Sequence, residues 1–313
     1  MTAVTEQSQQ KGLLLAEAPF DFSKTLGFLG VFGPTAGEQT YQAASLVKAL
    51  TLNERAVAFE IRPAGPDQLA YTLYSERPLT GEEQASVEDR LRFFLSLDDQ
   101  LGPFYTLARR DPIFAGVVKK LYGLHQPKFL TPYELACWAI LGQRVPWRVA
   151  HKIKMTLVER FGTSIEVAGQ LYRAFPEPAQ LTGANRDELL AIVQNARKVD
   201  YLQAVTDYFL KVDENFLRYG DFEEVAASLL GIKGVGEWSS HFILVRGLGR
   251  MQKVSSFDRE LIRAVGQLYG LSETAAEARL PELLELFHGY QGYFAFYARV
   301  ATAGASQSMA QYD

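Results

Sequence analysis

The stretch best suited to chemistry is Leu229-Leu230-Gly231-Ile232-Lys233-Gly234-Val235-Gly236-Glu237-Trp238-Ser239-Ser240, with apolar patterns of helical spacing on both sides. Three glycines in six residues between two helices predict a tight hairpin whose backbone, rather than its side chains, faces outward. The N–H groups of Gly234, Gly236 and the residues behind them open the second helix, where unpaired donors and the helix dipole favour a phosphate oxygen. Such a grip on a nucleic-acid backbone carries no sequence information. A plain glycine-rich turn between helices satisfies the same pattern, and on the hairpin alone the two readings stand level. A dinucleotide fold is set aside, because the spacing is G-x-x-G-x-G and a helix, not a strand, precedes it.

The second candidate is Asp258, 20 residues after Trp238 in Lys253-Val254-Ser255-Ser256-Phe257-Asp258-Arg259-Glu260-Leu261. An Asp that opens a helix, here Arg259 to Tyr269, is by itself most simply an N-cap. Metal chemistry finds little support. The four histidines (His125, His151, His241, His288) are scattered and none stands four residues from another. The single cysteine, Cys137, excludes an internal disulfide framework, a four-cysteine zinc site and a cysteine-ligated iron–sulfur cluster, and points to a reducing, cytoplasmic setting.

The elements that must hold these residues fit 313 residues with 48% apolar and 22% charged side chains, a globular chain of about two domains. Its formal charge of −4 gives no overall cationic surplus, so a nucleic-acid partner must meet a local patch. Residues 1–12 are polar and expected to be a disordered tail, and no apolar run is long enough to cross a bilayer. Residues 13–115 read as an α+β domain with a small antiparallel sheet. Ala56 to Ile61 and Leu69 to Tyr74 form a hairpin, and Thr80 with Glu83 makes a capping box before Val87, Leu91, Phe94 and Leu95. Beyond Gly102 strand signals stop, so residues 116–313 are expected to be all helical, with a second capping box at Thr131-Pro132-Tyr133-Glu134.

The hairpin followed at this separation by Asp258 resembles the helix-hairpin-helix DNA glycosylase superfamily. Further matches extend the resemblance. Ala139-Ile140-Leu141-Gly142-Gln143-Arg144-Val145-Pro146 looks like the I-L-G-Q-x-V-S segment of the 3-methyladenine DNA glycosylase II type. Phe175-Pro176 to Tyr208, Phe20 to Leu29 and Gly289 to Arg299 are similar to later and earlier parts of that family. The likeness is tight from about 130 to 265 and looser elsewhere. It implies a mainly α fold with an N-terminal α+β domain, an active-site cleft between two helical lobes, the hairpin at about 229–240 and a catalytic loop at about 247–258.

The same resemblance implies roles. Asp258 becomes the catalytic carboxylate, which stabilises the oxocarbenium character of a deoxyribose as its base departs, or orients the attacking water. Trp238, Phe242 and Tyr297 line the base pocket; Gln143, Arg144, Lys233, Gly234, Val235 and Gly236 contact DNA. The carbonyls of Leu230, Ile232 and Val235 could hold a structural monovalent cation, with no other cofactor required. Trp238 stands where lyase members carry the Schiff-base lysine, so the implied enzyme is monofunctional and hydrolytic. This chain departs from the family pattern at Arg144, Pro146, Lys233, Ser256 and Arg299, the last where a pocket aromatic is common. Both matched blocks are locally cationic, with five basic residues against one acid between Trp138 and Arg160 and six against three from Gly231 to Gly270.

The resulting expectation is a monomeric, cytoplasmic base-excision DNA glycosylase. It would act on flipped-out alkylated purines such as 3-methyladenine and 7-methylguanine in double-stranded DNA, with no membrane partner. The competing readings are a glycosylase for other damaged bases and a non-catalytic duplex-binding protein that keeps the hairpin.

Overall fold

The computed structural model describes residues 7–42, 44–255 and 258–303. The chain opens with β1 (Ser8–Leu15), α1 (Phe22–Val31) and a 3-10 turn at Gly33–Thr35, then runs through β2 (Gln39–Gln42), β3 (Ser45–Leu52), β4 (Arg55–Gly65) and β5 (Gln68–Ser75). These strands make one antiparallel sheet in the order β1-β5-β4-β3-β2. The anticipated hairpin is β4–β5, with Ala58 opposite Tyr74 and Ile61 opposite Tyr71. The polar start differs from expectation: Ser8–Leu15 pairs with β5 along its whole length, Ser8 opposite Ser75 and Leu15 opposite Gln68. It is an edge strand in which Leu14 alone is buried, so backbone hydrogen bonds rather than side-chain hydrophobicity hold it, and composition does not reveal them.

Helix α2 (Gly81–Leu95) starts with the anticipated capping box: Thr80 Oγ1 accepts from the Glu83 N–H at 3.2 Å, and the Glu83 carboxylate accepts from the Thr80 N–H at 2.9 Å. Then come α3 (Gly102–Ala108) and α4 (Pro112–Leu121). The division expected after residue 115 falls inside α4. Pro112 is the first residue of that helix rather than a break, and Asp111 Oδ1 caps it by accepting from the Ile113 and Phe114 N–H groups at 3.0 and 2.9 Å.

After α5 (Pro132–Leu141) and α6 (Trp147–Phe161), the chain makes a second hairpin, β6 (Thr163–Val167) with β7 (Gln170–Ala174). This corrects the expectation of a purely helical chain beyond Gly102. Ile165, Val167, Tyr172 and Ala174 alternate with exposed neighbours and bury against Val47, Ala49, Ala56 and Ala58 of the large sheet. Each strand is five residues long, too short for its alternation to stand out between helical segments. The helices α7 (Pro178–Thr182), α8 (Arg186–Val193), α9 (Ala196–Phe209), α10 (Glu214–Tyr219), α11 (Phe222–Leu230) and α12 (Glu237–Phe242) follow, the last continuing into a π-helical turn at Ile243–Gly247. The chain ends in α13 (Arg259–Tyr269), α14 (Glu273–Leu286) and α15 (Gln291–Ala303).

The helices fall into two lobes, one in which α5 packs on α6, α9 and α12, and one in which α13 packs on α4, α14 and α15. A continuous apolar core joins both lobes to the sheet, and α1 contributes Phe28 and Phe32, whose rings meet Phe296 and Phe129 at 5.1 and 5.7 Å. A buried ion network also ties sheet to helices. Lys154 contacts Glu38 and reaches Glu134 at 2.6 Å, while Lys48 reaches Glu38 at 2.6 Å. Thr131 therefore caps α5 without a reciprocal box: its Oγ1 accepts from the Glu134 N–H at 3.0 Å, but the Glu134 side chain turns inward to Lys154. Among the described residues, no helix is long and apolar enough to cross a membrane.

Candidate active site

A cleft of about 870 Å3 opens between the two lobes. Its walls are the turn after α5 (Gly142 to Val145), the start of α9, the glycine hairpin, α12, the opening of α13, and Arg299 from α15. The structure thus gathers into one cavity segments separated by more than a hundred residues of sequence.

The hairpin lies between α11 and α12, as the glycine spacing predicts. Gly234 has φ +94°, and a Cβ there would fall 2.2 Å from the Tyr201 ring, so only glycine fits. Ile232 and Val235 are buried and anchor the turn, whereas Lys233 is exposed, 4.0 Å from Asp200, and Leu230 is also exposed. Gly236 is the N-cap of α12 and has no side-chain cap, which leaves the first N–H groups of the helix without a side-chain partner. Gln143 Nε2 donates to the Gly234 carbonyl at 2.8 Å and ties the turn after α5 to the hairpin. In that turn Arg144 has φ +54° and lines the cleft.

Trp238 and Phe242, one helical turn apart, stack with ring centroids 5.0 Å apart and planes 17° from parallel, and both line the cleft. Trp238 remains 59% exposed, which leaves a broad aromatic face open to a planar ligand. Tyr297 does not join them. It is fully buried, and its hydroxyl bonds the Tyr105 hydroxyl at 3.0 Å and the Leu121 and Leu124 carbonyls at 3.1 and 2.9 Å. The helix α15 faces the core with Tyr297 and the cleft with Arg299, a two-residue offset that places them on different faces.

Asp258 is both cap and cleft residue. Its Oδ1 accepts from the Leu261 N–H at 2.9 Å and its Oδ2 from the Arg299 guanidinium. Burial pushes the Asp258 carboxyl up, but the adjacent Arg299, the Leu261 N–H and nearby His241 more than offset it, and the net effect holds the group below the ordinary aspartate value. Asp258 is therefore ionised at neutral pH. Burial lowers His241, so its imidazole is uncharged at pH 7. Glu260 also lines the cleft, its Oε2 3.9 Å from Arg299 Nε, and burial raises its carboxyl.

Arg299, His241, Glu260 and the α9 residues Arg197, Lys198 and Tyr201 escape sequence reasoning as a group. Arg299 shows in the sequence only as a departure from pattern, and nothing there pairs it with Asp258, 41 residues away. The cationic blocks also prove partly internal. Lys154, Arg246 and Arg250 are buried, Arg246 amid the rings of Phe28, Phe32 and Phe296, and Arg250 against the Leu217 and Gly220 carbonyls. Ser256 and Phe257, before Asp258, lie outside the described residues.

Residues 137–288 match the model of the HhH-GPD superfamily of base excision DNA repair proteins. It is 24% identical over 283 residues to the DNA-3-methyladenine glycosylase of Bacillus subtilis, covering 89% of this chain and 92% of that protein. To DNA-3-methyladenine glycosylase 2 of Escherichia coli it is 25% identical over 236 residues, covering 74% and 78%. The fold also matches the solved 3-methyladenine DNA glycosylase of Archaeoglobus fulgidus with a TM-score of 0.76 at 19% identity, covering 95% of this chain and all of that one.

Proposed function

We infer that the protein is a base-excision-repair DNA glycosylase of the 3-methyladenine type, which hydrolyses the N-glycosidic bond of a damaged purine and leaves an abasic site. The observation that carries this reading is the ionised carboxylate of Asp258 facing the same cleft as the exposed Trp238 face. Duplex DNA is the partner, and the target nucleotide must leave the stack, at a cost of a few kcal/mol, to reach the cleft. The uncapped N–H groups at Gly236 and the start of α12 hold a phosphate, and Arg144, on the turn beside the hairpin, enters the gap in the duplex. Gln143, engaged with the Gly234 carbonyl, orders that turn rather than filling the gap. Lys233, at the exposed edge of the hairpin, adds a phosphate contact.

Once the base lies on Trp238 and Phe242, the C1′–N bond breaks, its electron pair leaving with the base, and Asp258 stabilises the cation left on the sugar. A water adds to C1′ and sheds its proton. Alkylated purines such as 3-methyladenine and 7-methylguanine suit this site, because they are cationic in DNA, lie favourably on an aromatic face and leave as neutral bases. The chemistry is hydrolytic: Trp238 occupies the position beside the hairpin, and the amine that does line the cleft, Lys198, donates to the Leu141 carbonyl at 2.6 Å. A monovalent cation on the carbonyls of Leu230, Ile232 and Val235 would complete the phosphate site. Ile232 O already accepts from the Val235 N–H at 3.0 Å, which leaves it a second lone pair for such an ion.

The test is release of free methylated bases from alkylated duplex DNA, with Asp258→Asn beside the wild type. Release by wild type alone, from a protein that acts as a monomer and without strand nicking, is the expected result. Absence of release by either protein on alkylated, deaminated and oxidised substrates would transfer the case to a non-catalytic duplex-binding protein.

A further inference from the structure

In the resting cleft both oxygens of Asp258 are engaged, Oδ1 by the Leu261 N–H and Oδ2 by the Arg299 guanidinium. A carboxylate in contact with a guanidinium presents little net field to a cation forming a few ångströms away. The guanidinium itself repels that cation. If Asp258 is to stabilise a positively charged sugar, which rests on the glycosylase reading above, Arg299 must give up its hold on Oδ2. The cleft offers it one other anion. Glu260 stands two residues beyond Asp258 on the first turn of α13, its Oε2 3.9 Å from Arg299 Nε, on the same Nε–Nη2 edge of the guanidinium that grips Asp258.

We propose that Glu260 is a positioning residue which receives Arg299 when substrate enters, so that the guanidinium passes from Asp258 to Glu260 and leaves the Asp258 charge facing the sugar. The distances suit such an exchange. At 3.9 Å the Glu260 contact is too long for a hydrogen bond, and because both carboxylates face one edge of the guanidinium, a slide of that edge toward Glu260 closes this contact as it opens the one to Asp258. The remaining charges nearby do not compete. Among the described cleft residues the other charges are cations, Arg259 between the two acids among them; Arg263, one turn on along α13, also acts on Glu260, and His241 is held low by burial. Glu260 keeps 32% of its side chain accessible and Arg299 keeps 25%.

The experiment compares wild type with Glu260→Gln, Arg299→Leu and the double variant in binding to two duplexes. One contains a pyrrolidine abasic-site analogue, cationic at the sugar position, and the other the neutral tetrahydrofuran analogue. Wild type should prefer the cationic duplex, and Glu260→Gln should reduce that preference about tenfold, because Arg299 then stays on Asp258. Binding to the neutral duplex should not change. In the Arg299→Leu background, Glu260→Gln should have no effect, because Glu260 acts only through Arg299. Single-turnover release of 7-methylguanine should follow the same pattern in kcat with KM unchanged. An unchanged preference in Glu260→Gln, an equal loss with and without Arg299, or a wild type with no preference would each overturn the proposal. A wild type that releases no methylated base would instead fail the glycosylase reading, while the binding preference still decides the role of Glu260.

Discussion

Gly234→Ala tests whether the hairpin is built as described. The added Cβ meets two penalties. At φ +94° a residue other than glycine is strained by roughly 1–2 kcal/mol, and a Cβ placed 2.2 Å from the Tyr201 ring must push that ring aside at a further ~1–3 kcal/mol. The total, about 2–5 kcal/mol, is read as a lower denaturant midpoint with the slope unchanged. The two parts separate in a cycle with Tyr201→Ala. Without the ring only the backbone strain remains, so Gly234→Ala should cost ~1–3 kcal/mol less in that background. Because the Gly234 carbonyl also receives Gln143, moving it disturbs the turn that carries Arg144. Affinity for duplex DNA should therefore fall alike on damaged and undamaged sequences. A cost below ~0.5 kcal/mol, or the same cost with and without Tyr201, would refute this account of the turn.

Arg299→Leu removes the main influence holding the Asp258 carboxyl down and leaves burial to push it up. On the proposed reading Asp258 acts ionised, so activity is present above its folded pKa and lost as pH falls through it; the acid limb of kcat/KM should move to higher pH, and an unmoved limb would mean that Arg299 does not govern Asp258. Lys154→Met leaves Glu38 and Glu134 buried without their shared cation and should cost about 3–5 kcal/mol in unfolding experiments. Burial raises Glu38, but Lys154 and Lys48 overcome it and bring it down to about 2 from 4.5, so its stabilisation is full above the unfolded value and is lost as pH falls from there through about 2. Wild type should accordingly lose stability across that acid window, and Lys154→Met should show a weaker dependence there.

How far the sequence reveals the site depends on which interactions are local. The hairpin reads directly, because a run of glycines at fixed spacing reports a backbone that turns within a few residues, and Gly234 indeed sits where no side chain fits. The capping role of Asp258 is also local, one hydrogen bond to a residue three further on. By contrast, Arg299 meets Asp258 only because α15 crosses the opening of α13, and helical periodicity fixes neither partner. The same reasoning covers Tyr297. A helix flanked by aromatic residues looks alike from every side in sequence, and only the packing of α15 on α4 and α13 decides that Tyr297 faces inward and Arg299 outward. The strands β1 and β6–β7 escaped notice for a related reason: their partners are distant, and their own alternation is too brief or too polar to announce them.

On the glycosylase reading the cleft gives an acidic chain a local surface for DNA. With a formal charge of −4, the molecule as a whole repels a polyanion weakly. Yet among the described residues lining the cleft, Arg144, Arg197 and Arg259 are exposed and Arg299 is half-buried, set against Asp258 and Glu260, while Lys198 and Arg246 are buried. The field that matters to an approaching phosphate is local, since charges beyond about 10 Å are screened at moderate salt. Both acids that line the cleft stand beside Arg299. On the same reading the exposed Arg144, Arg197 and Arg259 draw the backbone in, while Asp258 faces the place where positive charge must form. A catalytic carboxylate that faced the phosphates unpaired would oppose binding; paired with Arg299 it does not. On the glycosylase reading Arg299 meets the first of two demands on Asp258, tolerance of an anionic duplex, and must release the carboxylate for the second, stabilisation of a cationic sugar.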